Sequence, residues 1–419
     1  MSSPSFIQLL VQLAVLLGTA ILFGQVLRAL RQPSVMGELL GGVVLGPTVL
    51  GSLLPGVATW LFVGAPEVGL ARDALTRLGM LFFLFVAGLE TDLSELRRSG
   101  RAAVWLGLCG TLVPLATGVA LVRALPSSLW GPRAEVHPFA FALFVGVNLA
   151  NSAIPVLARI LMDLGLLETR VGTTCMAATV VDDLVTWACF GVILADLSPS
   201  GPVSAALPVT LGLAFLLLLA VVALGRRLGP PGLRWVKGHA SGPAGFIAVT
   251  AVLLLAAAGA SEALGTHAFL GAFLLGVALS GRDAEHQAAH DAIARFALGF
   301  FAPLYFVSLG LTTDFARSFD WTLVLVVLAA AMASKLAGVL LGARVAGLPL
   351  DRETWAIGFG LNARGATGII LAAVGRQAGV IDDRVFVALA VMAFLTSLLA
   401  GPAMGRLLGD RVPRARAGS

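Results

Sequence analysis

The chain has 419 residues, of which 58% are hydrophobic and only 12% charged, with a formal net charge of +5 and a mean hydropathy of +0.95. A soluble domain carries about 25% charged residues, so a water-facing globule is excluded and a lipid-embedded chain is indicated. The 49 glycines, set against one tyrosine, favour close helix approach in a bilayer.

At about 20 apolar residues per crossing, the sequence predicts an all-α polytopic membrane protein of about thirteen spans. They run over about 6–27, 33–54, 74–91, 102–125, 139–161, 171–195, 203–225, 243–263, 267–280, 296–313, 321–346, 353–375 and 386–408. No Lys or Arg precedes Arg28, so the first segment lacks the basic flank of a secretory signal and is expected to be a retained span. The connectors are short and a tail of about eleven residues follows, so no soluble regulatory domain is expected. With the N-terminus outside, nineteen of the 28 basic residues fall on the cytoplasmic side and six opposite. That asymmetry predicts a multi-pass protein of the cell (inner) membrane with a cytoplasmic C-terminus.

Ionisable groups at mid-span are costly and mark ion or proton paths. Asp182 and Asp183 lie in the middle of the sixth span, Lys335 near the middle of the eleventh and Arg364 in the middle of the twelfth. All four are expected at one depth, where two acids and two bases can neutralise one another. Two spans carry signs of interruption at that depth. In the fifth, Pro155 follows Asn148, Asn151 and Ser152, and a proline frees carbonyls of the preceding turn. In the twelfth, Gly358, Gly360, Gly365 and Gly368 surround Asn362, Arg364 and Thr367. Unwound backbone in a membrane must be buried or line a polar cavity. The fifth and twelfth spans stand seven apart, an odd number, so a repeat with that offset is inverted. Inverted repeats with two discontinuous helices crossing at the midplane are therefore the expected architecture.

These features come with four apolar signatures in order. Pro33, Gly37, Glu38, Gly46 and Pro47 mark the second span, and Phe82, Gly88, Leu89, Glu90, Asp92 and Leu93 the third. His267, Gly271 and Gly276 mark the ninth, and Phe301, Pro303, Ser308 and Gly310 the tenth. With the central Asp-Asp they resemble the monovalent cation:proton antiporter superfamily, in the branch of bacterial sodium/proton exchangers and Kef-type potassium efflux systems. The resemblance covers nearly the whole chain. It implies that Asp183 binds cation and proton in turn, that Asp182 is the first acid of the pair, and that Lys335 is its ion-pair partner. It also implies a homodimer, with scaffold spans over about 6–91 and 243–313, core spans over about 102–195 and 321–408, and a linker span over about 203–225. Relatives often carry a threonine in the fifth-span break. Here Ala153 follows Ser152, and Asn148 and Asn151 supply the polarity.

The expected activity is exchange of Na+ or K+ for protons by alternating access, electrogenic if Asp182 and Lys335 form a switchable pair. A permanent structural pair is the competing reading of those two residues. Proton-coupled export of an organic cation or ionophore–cation complex, and a channel-like cation conductance, are the alternative functions. Arg364 suits the capping of broken-helix carbonyls better than substrate binding. Glu38 and Glu90 read as packing or interface-anchoring residues, and His267 near Glu262 as a candidate pH sensor of low weight. Cys109, Cys175 and Cys189 lack metal-ligand spacing and read as free thiols. The glycine-rich stretches lack the strand–loop–helix setting of nucleotide or hydrolase motifs. Neither an enzyme nor a cofactor is expected, and the only metal is the monovalent cation at Asp183.

Overall fold

A computed structural model describes residues 3–30, 34–62, 66–90, 100–167, 169–196, 227, 242–263, 268–280, 291 and 293–409. Among them there is no strand, and seven helical stretches are long and apolar enough to cross a membrane. Every expected span except the seventh falls on a described helix; 203–225 lies outside the described residues.

The helices divide into two compact units, one of 1–91 and 220–318 and the other of 92–219 and 319–419. In unit 1 the long elements are α1 (Ser3–Ala29), α2 (Ser34–Leu45) and α5 (Pro66–Glu90). The short α3 (Leu50–Leu53) and α4 (Pro55–Phe62) join α2 to α5. Then come α12 (Gly242–Ala263) and α13 (Ala268–Leu279). A π-turn (Ala297–Phe301) leads into α14 (Ala302–Leu311), and α15 (Phe315–Ser318) ends the unit.

Two expectations on unit 1 change in detail. Helix α5 starts at Pro66, eight residues before the apolar run, because the charged Glu67, Arg72 and Asp73 stay helical outside it. The ninth segment is a helix of only 12 residues, and Glu262 accepts from the Ala268 amide at its start, 2.8 Å away. His267 and Asp92 lie outside the described residues. Glu38 is buried on α2.

Unit 2 holds α6 (Gly100–Ala124), short α7 (Ser127–Trp130) and α8 (Arg133–Val136), and the pair α9 (Pro138–Ala150) and α10 (Ile154–Asp163). It continues with α11 (Arg170–Asp196), α16 (Trp321–Val345), the pair α17 (Arg352–Gly360) and α18 (Gly365–Gln377), and α19 (Asp383–Leu408). Glycines set the spacing within each unit. A methyl at Gly42 or Gly310 would run into the facing backbone at Val307 or Leu39, so α2 and α14 meet backbone to backbone. Gly338 and Gly342 let α16 lie equally close to Cys109 and Trp105 of α6. Such seams supply packing where lipid, as apolar as the side chains, offers no hydrophobic drive. The outward faces stay apolar, with Phe6 and Ile7 of α1 and Trp321 of α16 more than half exposed.

Both expected interruptions are present. Residues 151–153 are extended between α9 and α10, and Pro155 falls in the first turn of α10, where its missing N–H is not needed. Residues 361–364 form the break between α17 and α18, and Gly365 takes a left-handed φ of 47°. The breaks cross and serve each other. The Ala153 amide donates to the Ala363 carbonyl at 2.7 Å, and Ser152 Oγ donates to the Leu361 carbonyl at 2.6 Å. Arg364, fully buried, fans across what remains. Its NH2 donates to the carbonyls of Leu149 (2.6 Å) and Ala331 (3.1 Å), and its NH1 to Asn362 O (3.1 Å) and Oδ1 (2.9 Å). Ser397 of α19 accepts from the Gly365 amide at 2.8 Å, closing the N-terminal end of α18.

At another edge of unit 2, Asp320 caps α16 by accepting from the Leu323 amide and pairs with Arg384 at 2.5 Å. The Leu323 N–H holds its carboxyl below the ordinary value of 3.8, partial burial opposes, and Arg384 adds to the lowering. A carboxyl lowered by folding stabilises above its ordinary value and loses that contribution as pH falls through the folded one.

Two outcomes follow. Arg364→Lys, which cannot span the same acceptors with one ammonium, should cost about 1–3 kcal/mol, read as a lower melting temperature in detergent; an unchanged melt would show that these carbonyls do not need the fork. Asp320→Asn keeps the cap but not the charge, so it should melt below wild type by about 1 kcal/mol or less near neutral pH, with the gap closing in acid below 3.8. A gap that persists in acid would assign the loss to packing.

Candidate functional site

The crossing places three acidic and basic side chains against one another inside unit 2. Asp182 and Asp183 stand in the middle of α11, 1% and 6% exposed, and Lys335 in the middle of α16, 1% exposed. Lys335 Nζ lies 2.8 Å from Asp182 Oδ2 and also donates to the Ala150 carbonyl, the last of α9. The lysine therefore does two things: it neutralises an acid, and with Arg364 it takes up carbonyls at the negative end of a half-helix. Asp183 and Arg364 complete the charges felt at Lys335. With all four ionised the cluster is neutral, which is what low-dielectric burial demands.

Asp182 has a further partner that the sequence reading did not single out. Thr111 Oγ1, from α6, donates to Asp182 Oδ1 at 2.7 Å. Its only signal in the sequence is a hydroxyl in an apolar span, and most such hydroxyls bond their own helix. Thr186, one turn beyond the acids on α11, was likewise unremarked; its hydroxyl is buried with no partner among the described residues.

The polar residues expected to line the breaks divide into two groups. Ser152, Asn362 and Arg364 are consumed by the crossing itself, and Asn362 also donates to the Gly358 carbonyl at 3.0 Å. Asn148 donates to Phe144 O at 3.0 Å but keeps its side-chain oxygen unpaired among the described residues. Asn151, fully buried in the break, has neither amide atom paired among them. Thr367 is buried in the first turn of α18, outside these hydrogen bonds. A buried amide without a partner is costly. Asn148 and Asn151 thus each keep a buried side-chain oxygen unpaired among the described residues. Among the described residues no group of three His, Cys, Asp or Glu side chains forms a multi-ligand metal site. All three cysteines are free thiols.

Comparison with known proteins places this arrangement. The family model described as "Sodium/hydrogen exchanger, transmembrane" matches residues 13–409. Among curated proteins, Cation/H(+) antiporter 17 of Arabidopsis thaliana is 33% identical over 405 residues, which are 94% of this chain and 47% of that one. The chain spans about half the length of that plant relative. Na(+)/H(+) antiporter NhaS4 of Synechocystis sp. is 30% identical over 407 residues, 96% of this chain and 97% of that one. Na(+)/H(+)-K(+) antiporter GerN of Bacillus cereus is 27% identical over 404 residues, 96% of each chain. Among solved structures, the sodium proton antiporter MjNhaP1 of Methanocaldococcus jannaschii superposes with a TM-score of 0.71 at 16% identity, covering 97% of this chain and 99% of that one. That likeness is one of fold. The family match across nearly the whole length carries the classification: this multi-pass membrane protein belongs to the sodium/hydrogen exchanger family.

Proposed function

We propose that the protein is a secondary active antiporter that exchanges a monovalent cation, Na+ or K+, for protons at Asp183. One observation carries the reading: two adjacent acids and two bases are buried in the unit where two helices are broken, and Asp182 is taken by Lys335 and Thr111, which leaves Asp183 as the acid assigned to the ion. The printed names of NhaS4 and GerN, Na+/H+ and Na+/H+-K+ antiporters, support it.

The chemistry is competition. A carboxylate binds either a proton or a cation, and if only loaded forms change their exposure, each trip of one brings the other back. Unit 2 holds the residues assigned to the site, which supports a reading in which it carries the ion and unit 1 serves as the frame. Lys335 gives a route to charge movement. A cation at Asp183 weakens the hold of Asp182 on the ammonium, and Ala150 O retains it meanwhile. The K/R asymmetry and the bacterial relatives support insertion in the inner membrane with the N-terminus outside.

Asp183→Asn should abolish cation-dependent proton release from everted vesicles while the protein still folds; exchange at the wild-type rate would sink the assignment. Solid-supported-membrane currents in the same preparation test electrogenicity, since one charge moved through 100 mV carries about 2.3 kcal/mol. Exchange without current would leave Asp182–Lys335 a structural pair, and current without proton coupling would indicate a conductance. The family resemblance further supports a homodimer built on unit 1. Native mass spectrometry with added lipid should report a dimer mass, and a monomer there counts against it.

A further inference from the structure

Thr111 is fully buried on α6, and its Oγ1 lies 2.7 Å from two acceptors, the Gly107 carbonyl of its own helix and Asp182 Oδ1. A hydroxyl has one proton to give, and a carbonyl can only accept. A hydrogen bond to an ionised carboxylate is about twice as strong as one between neutral groups. With Asp182 paired to Lys335, the Thr111 proton therefore belongs to Oδ1. Both oxygens of Asp182 are then committed, Oδ1 to Thr111 and Oδ2 to Lys335.

The seat is built for this contact. A methyl at Gly107 would come within 2.7 Å of the Ala178 carbonyl and 2.8 Å of Val181 Cβ. Only the missing side chain lets α6 lie close enough to α11 for so short a residue to reach the acid. Asp183, one step along the helix, is turned about 100° from its neighbour.

We propose that Thr111 is a positioning residue that keeps Asp182 turned away from the transported ion, so that the ion meets the single carboxylate of Asp183. This rests on the assignment of Asp183 above. It makes Thr111 a determinant of ion charge. One carboxylate with neutral oxygens balances a monovalent cation, whereas a second carboxylate oxygen would favour a hard divalent ion, which gathers several such ligands.

The test compares wild type with Thr111→Val, which keeps the shape and loses the hydroxyl, and Thr111→Ser, which keeps the hydroxyl. Purified protein is titrated with Ca2+ by calorimetry, and proteoliposome exchange is driven by Na+ or K+ with and without Ca2+. Thr111→Val should bind Ca2+ and be inhibited by it about tenfold more tightly than wild type, the factor a lost charge-assisted hydrogen bond allows. It should also show a lower half-saturating concentration of the monovalent ion and a lower maximal rate, and Thr111→Ser should return both. A merely structural role would lower the rate without creating affinity for Ca2+. Wild-type Ca2+ affinity and half-saturation in Thr111→Val, or equal changes in Val and Ser, would overturn the proposal. Should Thr111→Val not fold, Thr111→Ala is held to the same comparison. A wild type without exchange would remove the antiporter reading, while the calorimetric series would still decide the role of Thr111.

Discussion

Peptide groups released from a helix inside a bilayer have no water to turn to, and this constraint organises unit 2. Two helices are broken, and each break leaves carbonyls at the negative end of one half and amides at the positive end of the other. The solution is mutual. Ser152 and the Ala153 amide serve Leu361 and Ala363, while Arg364 and Lys335 cover Leu149 and Ala150. The cations required to finish the backbone must themselves be balanced, and Asp182 does so for one of them. Structure and site are thus one electrostatic problem, and any change to a charge here alters both.

Much of this was legible in the residues. Twelve of the thirteen expected segments fall on described helices, and seven helical stretches among them are long and apolar enough to cross a membrane, because a long apolar run is the plainest signal a sequence carries. Asp182, Asp183, Lys335 and Arg364 stood out because charge in an apolar run is rare, and Pro155 with its neighbouring asparagines announced the first break by the chemistry of a missing N–H. The pairing of Lys335 with Asp182, rather than with Asp183, came only from the resemblance. Spacing along separate helices does not determine which of two adjacent acids faces a third helix.

Thr111 and Ser397 were not legible for a related reason. A single hydroxyl in an apolar span is usually spent on its own helix, and what distinguishes these two is the neighbour they reach, Asp182 in one case and the Gly365 amide in the other. The π-turn before α14 and the charged first turns of α5 were also hidden. The first is a local change of hydrogen-bond register with no compositional mark. The second extends a helix past its apolar part, where hydropathy is silent.

The crossing also bears on how the chain is made. Ser152 and Leu361 are 209 residues apart, and Leu149 and Arg364 are 215 apart. At a synthesis rate of about 5–20 residues per second, the first break waits roughly 10–40 s for its partner. During that interval the carbonyls of Leu149 and Ala150 and the amide of Ala153 lack their final partners, as Asp182 lacks Lys335. The fifth and sixth segments must therefore be held in a setting that tolerates polar backbone, at the membrane boundary or against the insertion machinery, until the eleventh and twelfth arrive. The same long-range bonds that close the site thus defer its assembly until both later segments have been made.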